Sequence, residues 1–333
     1  MRVLPYATTL SALVVLPLLA GCSGAGSSLS PASIPAQSFA AKTATQSLAG
    51  KPDAKSKYTF TTLTNPGDPT FNQLLGINDS GVLAGYFGVG TKKSPNKGYT
   101  LASPYGTGNY TNENFPGSVQ TQVVAINGSG ETAGFWVDKS GNNFGFTDIN
   151  GTFTSYTDPA TGTGTVNQLL GLNDHGLAVG FYVDGSSNNH GYELNLANDT
   201  FTELIPPGGS MVTAAGINDM NDVTGFYNDS LGNTVGFLYK MKTFTMIAYP
   251  GASATTPFGI NEKDEIVGAY TDASGATHGF TLTNPLKKPV WTTVDDPNGI
   301  GETLINGVND QGDLVGFWQP TGTTSYAFLA TTK

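Results

Sequence analysis

Charge is scarce in this chain, and the cations that recognise phosphate are scarcer still. Only 12% of the 333 residues are charged, acidic residues outnumber basic ones 25 to 15, the net charge is −10, and Arg2 is the one arginine. With no guanidinium fork beyond Arg2, the chain has no bidentate donor for phosphates or base edges, so nucleic acid is not an expected partner. Cysteine occurs once, as Cys22, which leaves no internal disulfide. No stretch matches a nucleotide-binding loop, a nucleophile elbow, a zinc-protease helix or an EF-hand loop, so no cofactor and no metal are expected. Long helices are not expected either, because Gly, Pro, Thr, Ser and Asn take the place of helix formers.

What is abundant is Gly (44 residues), Pro (19) and the Thr, Ser, Asn, Tyr and Phe that suit short strands joined by tight turns. GINDSGVLAGYF, from Gly76 to Phe87, returns five times, beginning at Ala125, Gly171, Gly216, Gly259 and Gly307. Its anchoring asparagines are Asn78, Asn127, Asn173, Asn218, Asn261 and Asn309, at spacings of 49, 46, 45, 43 and 48. A period of this size points to a propeller or a solenoid, and the inside of the unit decides between them. The third unit holds four short runs: LLGLN ending at Asn173, LAVGFYV from Leu177, HGYELNL from His190 and TFTELI from Thr200. Four such strands make one antiparallel blade.

Turn chemistry agrees with that reading. Three residues after each Asn come Gly81, Gly130, Gly176, Asn221, Asp264 and Gly312, the residue types that best tolerate a left-handed backbone, so each Asn leads a tight hairpin turn and bonds to its backbone. Asp138 to Gly141, Asp229 to Gly232 and Asp272 to Gly275 mark a second hairpin. Gly precedes an aromatic at Gly85-Tyr86, Gly134-Phe135, Gly180-Phe181, Gly225-Phe226 and Gly316-Phe317, and again at Gly98-Tyr99, Gly145-Phe146, Gly191-Tyr192, Gly236-Phe237 and Gly279-Phe280. Both series read as bare strand faces where neighbouring blades pack.

The ends complete one another. TFTTL from Thr59 is a fourth strand without its blade, and the unit from Leu304 to Leu329 stops before its own fourth strand. Joined, they make the sixth blade and close the ring, which abolishes the edges an open array would expose. The expected fold is therefore all-β, a six-bladed propeller of four-stranded antiparallel blades over residues 58–333, with an open β-solenoid or two three-blade sheets as the alternative.

Ahead of the repeats, Arg2, an apolar run from Leu10 to Leu19 and Leu19-Ala20-Gly21-Cys22 make a secretory signal whose last four residues resemble a bacterial lipobox. That resemblance implies cleavage after residue 21 and lipid on Cys22, hence a membrane anchor. Ser23 resembles the outer-membrane sorting pattern of Gram-negative hosts, so the protein would face periplasm or cell surface. Residues 22–57 carry hardly a large apolar side chain and read as a flexible tether of Ser, Ala, Gly and Thr, with a span of roughly 33 Å.

The repeat resembles the HAF family of probable extracellular repeats, in which G-I-N-D-x-G-x-I-V-G-x-Y is followed by H-G-F and then by F-T-x-I-D-x-P-G-A. Here H-G-[FY] survives as His190-Gly191-Tyr192 and His278-Gly279-Phe280, and P-G as Pro66-Gly67, Pro116-Gly117, Pro207-Gly208 and Pro250-Gly251. Ala327, Pro159-Ala160 and Pro297-Asn298 depart from the pattern. The resemblance covers nearly all of 58–333 and implies secretion and a repeat fold, with no activity attached.

Candidate sites follow from six-fold geometry. His190 and His278 fall in different blades and cannot share a metal, and His175 is a turn residue. Asp79, Asp174, Asp219 and Asp310 each sit alone in a tight turn, where turn stabilisation outweighs calcium binding. Five residues before each anchoring Asn stand Gln73, Gln122, Gln168, Thr213, Thr256 and Leu304, so five amides or hydroxyls would ring the channel mouth and suit hydrogen bonding to a glycan or protein ligand. The expected function is a non-catalytic binding or scaffolding propeller of the cell envelope. The alternative is a polysaccharide-acting hydrolase or lyase drawing a carboxylate pair from Asp158, Asp296, Glu203 and Glu302, which fall outside the repeat pattern.

Overall fold

The computed structural model describes residues 57–161, 166–320 and 324–333; the signal segment, Cys22 and the tether up to residue 56 lie outside the described residues. Twenty-four strands form six four-stranded sheets. The first blade is β2 (Asn72–Ile77), β3 (Leu83–Phe87), β4 (Lys97–Leu101) and β5 (Tyr110–Asn112). The second is β6 (Gln120–Ile126), β7 (Thr132–Val137), β8 (Asn143–Ile149) and β9 (Thr152–Tyr156), and the third β10 (Asn167–Leu172), β11 (Leu177–Val183), β12 (Asn189–Asn195) and β13 (Thr200–Glu203). The fourth is β14 (Ser210–Ile217), β15 (Val223–Asn228), β16 (Thr234–Lys240) and β17 (Thr243–Ile247), and the fifth β18 (Ala254–Ile260), β19 (Ile266–Thr271), β20 (Thr277–Thr283) and β21 (Val290–Thr293). The sixth joins β22 (Thr303–Val308), β23 (Leu314–Trp318) and β24 (Tyr326–Thr332) to β1 (Tyr58–Leu63), which pairs with β24 from Tyr58↔Thr332 to Leu63↔Ala327. The six-bladed propeller and its closure by the first strand thus stand as the repeat ends require.

Each innermost strand carries an irregularity at the same place, between Leu74 and Gly76 in β2 and at the matching residues of the other five, and β14 has a second between Ser210 and Thr213. Such a bulge inserts an unpaired residue and re-aims its side chain. The inserted residues are Leu75, Val124, Leu170, Ala215, Phe258 and Asn306, and all six line an inner cavity of about 80 Å³ on the ring axis. Leu75, Val124, Ala215 and Phe258 form an apolar cluster there with Tyr86, Phe135, Leu304 and Phe317.

The bulge explains one glycine series and corrects its reading. A Cβ on Gly85, Gly134, Gly180, Gly225 or Gly316 would collide with a carbonyl oxygen of the bulged strand in the same blade. The second series is the one that brings blades together: a Cβ on Gly98, Gly145, Gly191, Gly236 or Gly279 would press on Val123, Leu169, Val212, Pro257 or Ile305 of the next blade. Ala327, which replaces that glycine in the sixth blade, is fully buried in one cluster with Leu74.

The six asparagines do more than lead turns. Each Oδ1 accepts from the backbone N–H four residues on, as Asn218 does from Asp222 at 2.9 Å and Asn78 from Val82 at 2.9 Å. Each Nδ2 donates across the seam to the carbonyl of the next asparagine. The bonds run from Asn78 to Asn127 (3.0 Å), to Asn173 (3.3 Å), to Asn218 (3.1 Å), to Asn261 (3.1 Å), to Asn309 (3.0 Å) and back to Asn78 (3.4 Å). The left-handed residues stand as expected, from φ 57° at Asp264 to φ 84° at Gly130.

Asn218→Ala removes both bonds, takes the acceptor from the Asp222 N–H and leaves the Asn261 carbonyl with the Asp264 N–H alone. We expect a loss of about 2–4 kcal/mol in chemical denaturation, with the fold retained. A loss below about 0.5 kcal/mol would remove the ring of amides from the account of stability.

Candidate binding faces of the propeller

The two ends of the axis are built differently. At the end carrying the asparagine turns, Asp79, Gly128, Asp174, Asp219, Glu262 and Asp310 line a cavity of about 110 Å³ together with the six asparagines. Asp79, Asp174, Asp219 and Asp310 therefore do not sit alone, contrary to the expectation from sequence: with Glu262 they face one axis. Each takes a backbone N–H of the blade before it. Ser129 donates to Asp174 (3.0 Å), Asp174 to Asp219 (2.7 Å), Asp219 to Glu262 (2.6 Å), Glu262 to Asp310 (3.0 Å) and Asp310 to Asp79 (2.8 Å). Gly128 leaves the sixth place in this second ring without a side chain. Burial, reinforced by the Asp219 and Asp310 carboxylates and opposed by the Asp219 N–H, holds the Glu262 carboxyl above the usual range. These carboxylates act as inter-blade acceptors, and among the described residues no group of His, Asp or Glu is arranged to hold a metal ion.

At the other end, the loops entering each blade close on a reverse turn of one pattern. The N–H of the fourth residue meets the carbonyl of the first in Asn65–Asp68, Phe115–Ser118, Asp158–Thr161, Pro206–Gly209, Tyr249–Ala252 and Asp296–Gly299. Proline second presets the turn, and glycine third supplies the left-handed backbone in Gly117, Gly208 and Gly251. Where Asn65, Asp158 or Asp296 leads, its side chain also accepts the N–H two residues on. Where Phe115 or Tyr249 leads, the ring stacks on the blade: Phe115 on Trp136 at 4.4 Å, Tyr249 on Tyr270 at 3.6 Å.

Beneath these turns, the end of the second strand pairs with the start of the third: Trp136↔Phe144, Tyr182↔His190, Tyr270↔His278 and Trp318↔Tyr326, with Phe87↔Lys97 and Tyr227↔Val235 in the remaining two blades. Four of the six are ring pairs with centroids 4.7 to 5.1 Å apart, three stacked and Trp318–Tyr326 tilted by 31°. Most of these rings are partly exposed.

His190 and His278 belong to this layer. His190 Nδ1 lies 2.5 Å from Glu203 and its Nε2 3.1 Å from Asp184, while His278 Nδ1 lies 2.8 Å from Asp295 and its Nε2 3.5 Å from Asp272. Each imidazole is thus held by two carboxylates of its own blade, so the two histidines do not meet. Partial burial opposes the charged form of His190, but the bonds to Glu203 and Asp184 outweigh it and raise its pKa. Four bonds, led by the backbone N–H and side chain of Asn188, hold Asp184 well below the carboxylate range.

The rim predicted from sequence lies deeper than expected. Gln73, Gln122, Gln168, Thr213 and Thr256 are all buried under the loops rather than open at the mouth. Gln73 bonds Ser325 and accepts from Tyr86, Gln168 donates to Asn143, and Thr256 donates to the Ala269 carbonyl. Gln122 Oε1, Gln168 Oε1 and Thr213 Oγ1, on three consecutive blades, have no hydrogen-bond partner among the described residues. The four carboxylates considered for catalysis divide between opposite sides of the ring, Asp158 and Glu203 in the third blade and Asp296 and Glu302 at the entry to the sixth. Asp158 and Asp296 are occupied by their own turns and Glu203 by His190.

Sequence reasoning missed the stacked layer. Its signal was an aromatic two residues after the first glycine, at Phe87, Trp136, Tyr182, Tyr227, Tyr270 and Trp318. It also missed the seam between the first two blades, where Glu113 is held by Thr100 and Thr132 beside Asp148. Burial and then the Asp148 carboxylate raise Glu113 to about 7. The unfolded value is near 4.3, so ionised Glu113 costs stability in full above pH 7, and the cost fades as pH falls through 7 toward 4.3. Glu113→Gln should be near neutral at about pH 4 and stabilise by about 1 kcal/mol at about pH 8, a figure reduced for partial solvent screening. Denaturation of both proteins at the two pH values checks the sign, and a stabilisation independent of pH would refute it.

No family model matches the chain, and no curated protein does. Among solved structures, a putative TolB from Agrobacterium tumefaciens is similar at 12% identity and a TM-score of 0.50, covering 82% of this chain and 90% of that one. The fungal lectin of Aleuria aurantia, a six-bladed β-propeller with fucose recognition, gives 10% identity and 0.45 over 82% and 91%. Prolyl endopeptidase gives 13% and 0.47 over 79% of this chain, which spans 40% of that protein's length. At these identities the likeness is one of fold: the chain is a six-bladed β-propeller.

Proposed function

We propose that this is an exported, lipid-anchored envelope protein whose propeller is a non-catalytic binding module, with its loop face taking a glycan or an exposed protein segment. One observation carries the ligand reading: four blades set a close ring pair at the loop face, Trp–Phe in one, Tyr–His in two and Trp–Tyr in another, while the scaffold beneath repeats. Flat aromatic faces beside fixed acceptors suit a ligand with apolar faces and hydroxyl or amide edges, as sugar rings have. Asp184, Glu203, Asp272 and Asp295 are such acceptors around His190 and His278. Export and anchoring are supported by the lipobox-like Leu19 to Cys22 and by the HAF-type repeat. In a Gram-negative host the address would be the outer membrane.

A printed glycan array probed with residues 58–333, a unit closed by the β1–β24 pairing, tests the ligand class. For any glycan captured, Trp136→Ala or Tyr270→Ala should weaken binding roughly tenfold, the value of about 1.4 kcal/mol, without lowering Tm by more than a few degrees. Capture unaffected by both substitutions would overturn the loop-face reading. Separately, Cys22→Ala should move the full-length protein from the membrane fraction to the soluble one, and unchanged membrane recovery would end the anchor proposal.

A further inference from the structure

On the asparagine-turn face, the outer connections of the fourth and fifth blades present an unusual pair of tips. The third and fourth strands of the fourth blade are joined by Met241 and Lys242 alone, both left-handed, with φ 50° and 61°. The matching connection of the second blade has Asn150 and Gly151 at φ 53° and 81°, the residues such a turn favours. Met and Lys there are strained, and neither is repaid by burial: Met241 is 88% exposed and Lys242 is exposed. On the fifth blade the corresponding connection runs from Asn284 to Pro289 through Pro285-Leu286-Lys287-Lys288, with Leu286 51% exposed and both lysines exposed. Met220, in the asparagine turn of the fourth blade, is 49% exposed on the same face.

Charge on this face is unevenly placed. Asp79, Asp174, Asp219, Glu262 and Asp310 line the axis, Asp222 and Asp264 are held by Lys240, and Asp199 is exposed on the third blade, whereas Lys242, Lys287 and Lys288 stand on the outer connections of the fourth and fifth blades with no ion pair among the described residues. Lys240, one residue before the tip, bridges Asp222 at 2.6 Å and Asp264 at 2.9 Å and so ties the fourth blade to the fifth beneath them. In the sixth blade no connection occupies this position. The ring's two ends lie there instead, Lys333 donating to the Lys57 carbonyl at 3.0 Å, so the 56 residues ahead of Lys57 leave from this face.

We propose that the periphery of this face over blades four to six docks on an anionic lipid surface, Met241, Leu286 and Met220 entering the interface while Lys242, Lys287 and Lys288 meet headgroup phosphates. Two observations favour a membrane as occupant. In a chain of net charge −10, exposed cations stand beside exposed apolar tips, the combination interfacial binding requires. The segment preceding the propeller also departs from the same face. The surface lies opposite the stacked-ring loops and acts without Cys22, so it stands or falls independently of the glycan reading and of the anchor.

The test is sedimentation of residues 57–333, without lipid anchor, with phosphatidylcholine vesicles carrying about 30% phosphatidylglycerol and with phosphatidylcholine alone. Binding is expected to the anionic vesicles only, falling at least roughly tenfold between about 50 and about 300 mM salt. The double substitution Met241→Asn and Lys242→Gly installs the favoured turn. It should raise Tm by about 2–4 °C while weakening vesicle binding roughly tenfold. Leu286→Ser with Lys287→Ser and Lys288→Ser should weaken binding similarly, and Trp136→Ala should leave it unchanged. Equal binding to neutral vesicles, no binding to anionic ones at low salt, or binding that neither variant weakens would overturn the proposal.

Discussion

A side-chain amide that donates across one seam and accepts within its own turn sets the height of every innermost strand against the next. Each of the six asparagines is at least 95% enclosed, so neither its amide nor the carbonyl it meets can turn to water. The chain of bonds has no end: Asn309 returns to Asn78 across 231 residues of sequence. In an open array the last amide would lose its acceptor across the seam, and the first carbonyl would keep only the N–H of its own turn, as Asn78 does from Gly81. Polar satisfaction thus favours the closed ring independently of the strand exchange that joins β1 to β24. The carboxylate ring one residue further on follows the same logic and reaches the axis because the asparagines have already set the register.

Locked innermost strands must still fill a narrow axis, and the shared bulge is how they do so. A regular strand would turn alternate side chains toward and away from the neighbouring blade. The inserted residue instead points inward, and Leu75, Val124, Leu170, Ala215 and Phe258 fill the space with hydrocarbon. Asn306 is the exception: its Nδ2 reaches the Leu74 carbonyl, while its Oδ1 is buried without a partner among the described residues. The bulge brings a carbonyl against the second strand, where only a residue without Cβ fits. The repeating asparagine, left-handed turn residue and glycine are therefore one mechanical assembly: amide bridge, turn and bulge clearance.

That coupling explains what could be read from sequence and what could not. Blade number, strand number, the left-handed positions and the completion of the last blade by the first strand were legible, because each rests on local chemistry or on counting repeats. The amide bridges, the carboxylate ring and the true reason for Gly85 and its equivalents were not, because each depends on atoms 43 to 49 residues away, or 231 at the closing seam, or on a register shift that leaves the two-residue alternation looking intact. The Gln73 ring was placed at the right height but judged open. The packing of Tyr86, Phe135 and Phe317 with Leu304 shows that this layer is core. Trp136, Tyr182 and Tyr270 went unremarked because one aromatic at a strand end carries no sign of the partner stacked on it.

The two faces consequently differ in what they can vary. At the asparagine turns, a side chain changed near the axis disturbs a bond to the next blade, so variation falls on the outer connections and on the turn residue that Met220 occupies. Met241-Lys242 and Leu286 to Lys288 occupy those places, and the strained φ values of the first pair mark a sequence held against the preference of its own turn. At the loop face, the Pro-Gly turns and the strands beneath hold the backbone with main-chain bonds. Ring identity there can change from Phe87 to Trp136 to Tyr182 without altering the path of the chain. A scaffold that fixes its backbone through repeated main-chain and amide bonds leaves its exposed side chains free to diverge. It is in those divergent side chains, on opposite faces, that recognition of a soluble ligand and contact with a lipid surface can be held by one ring without competing for the same residues.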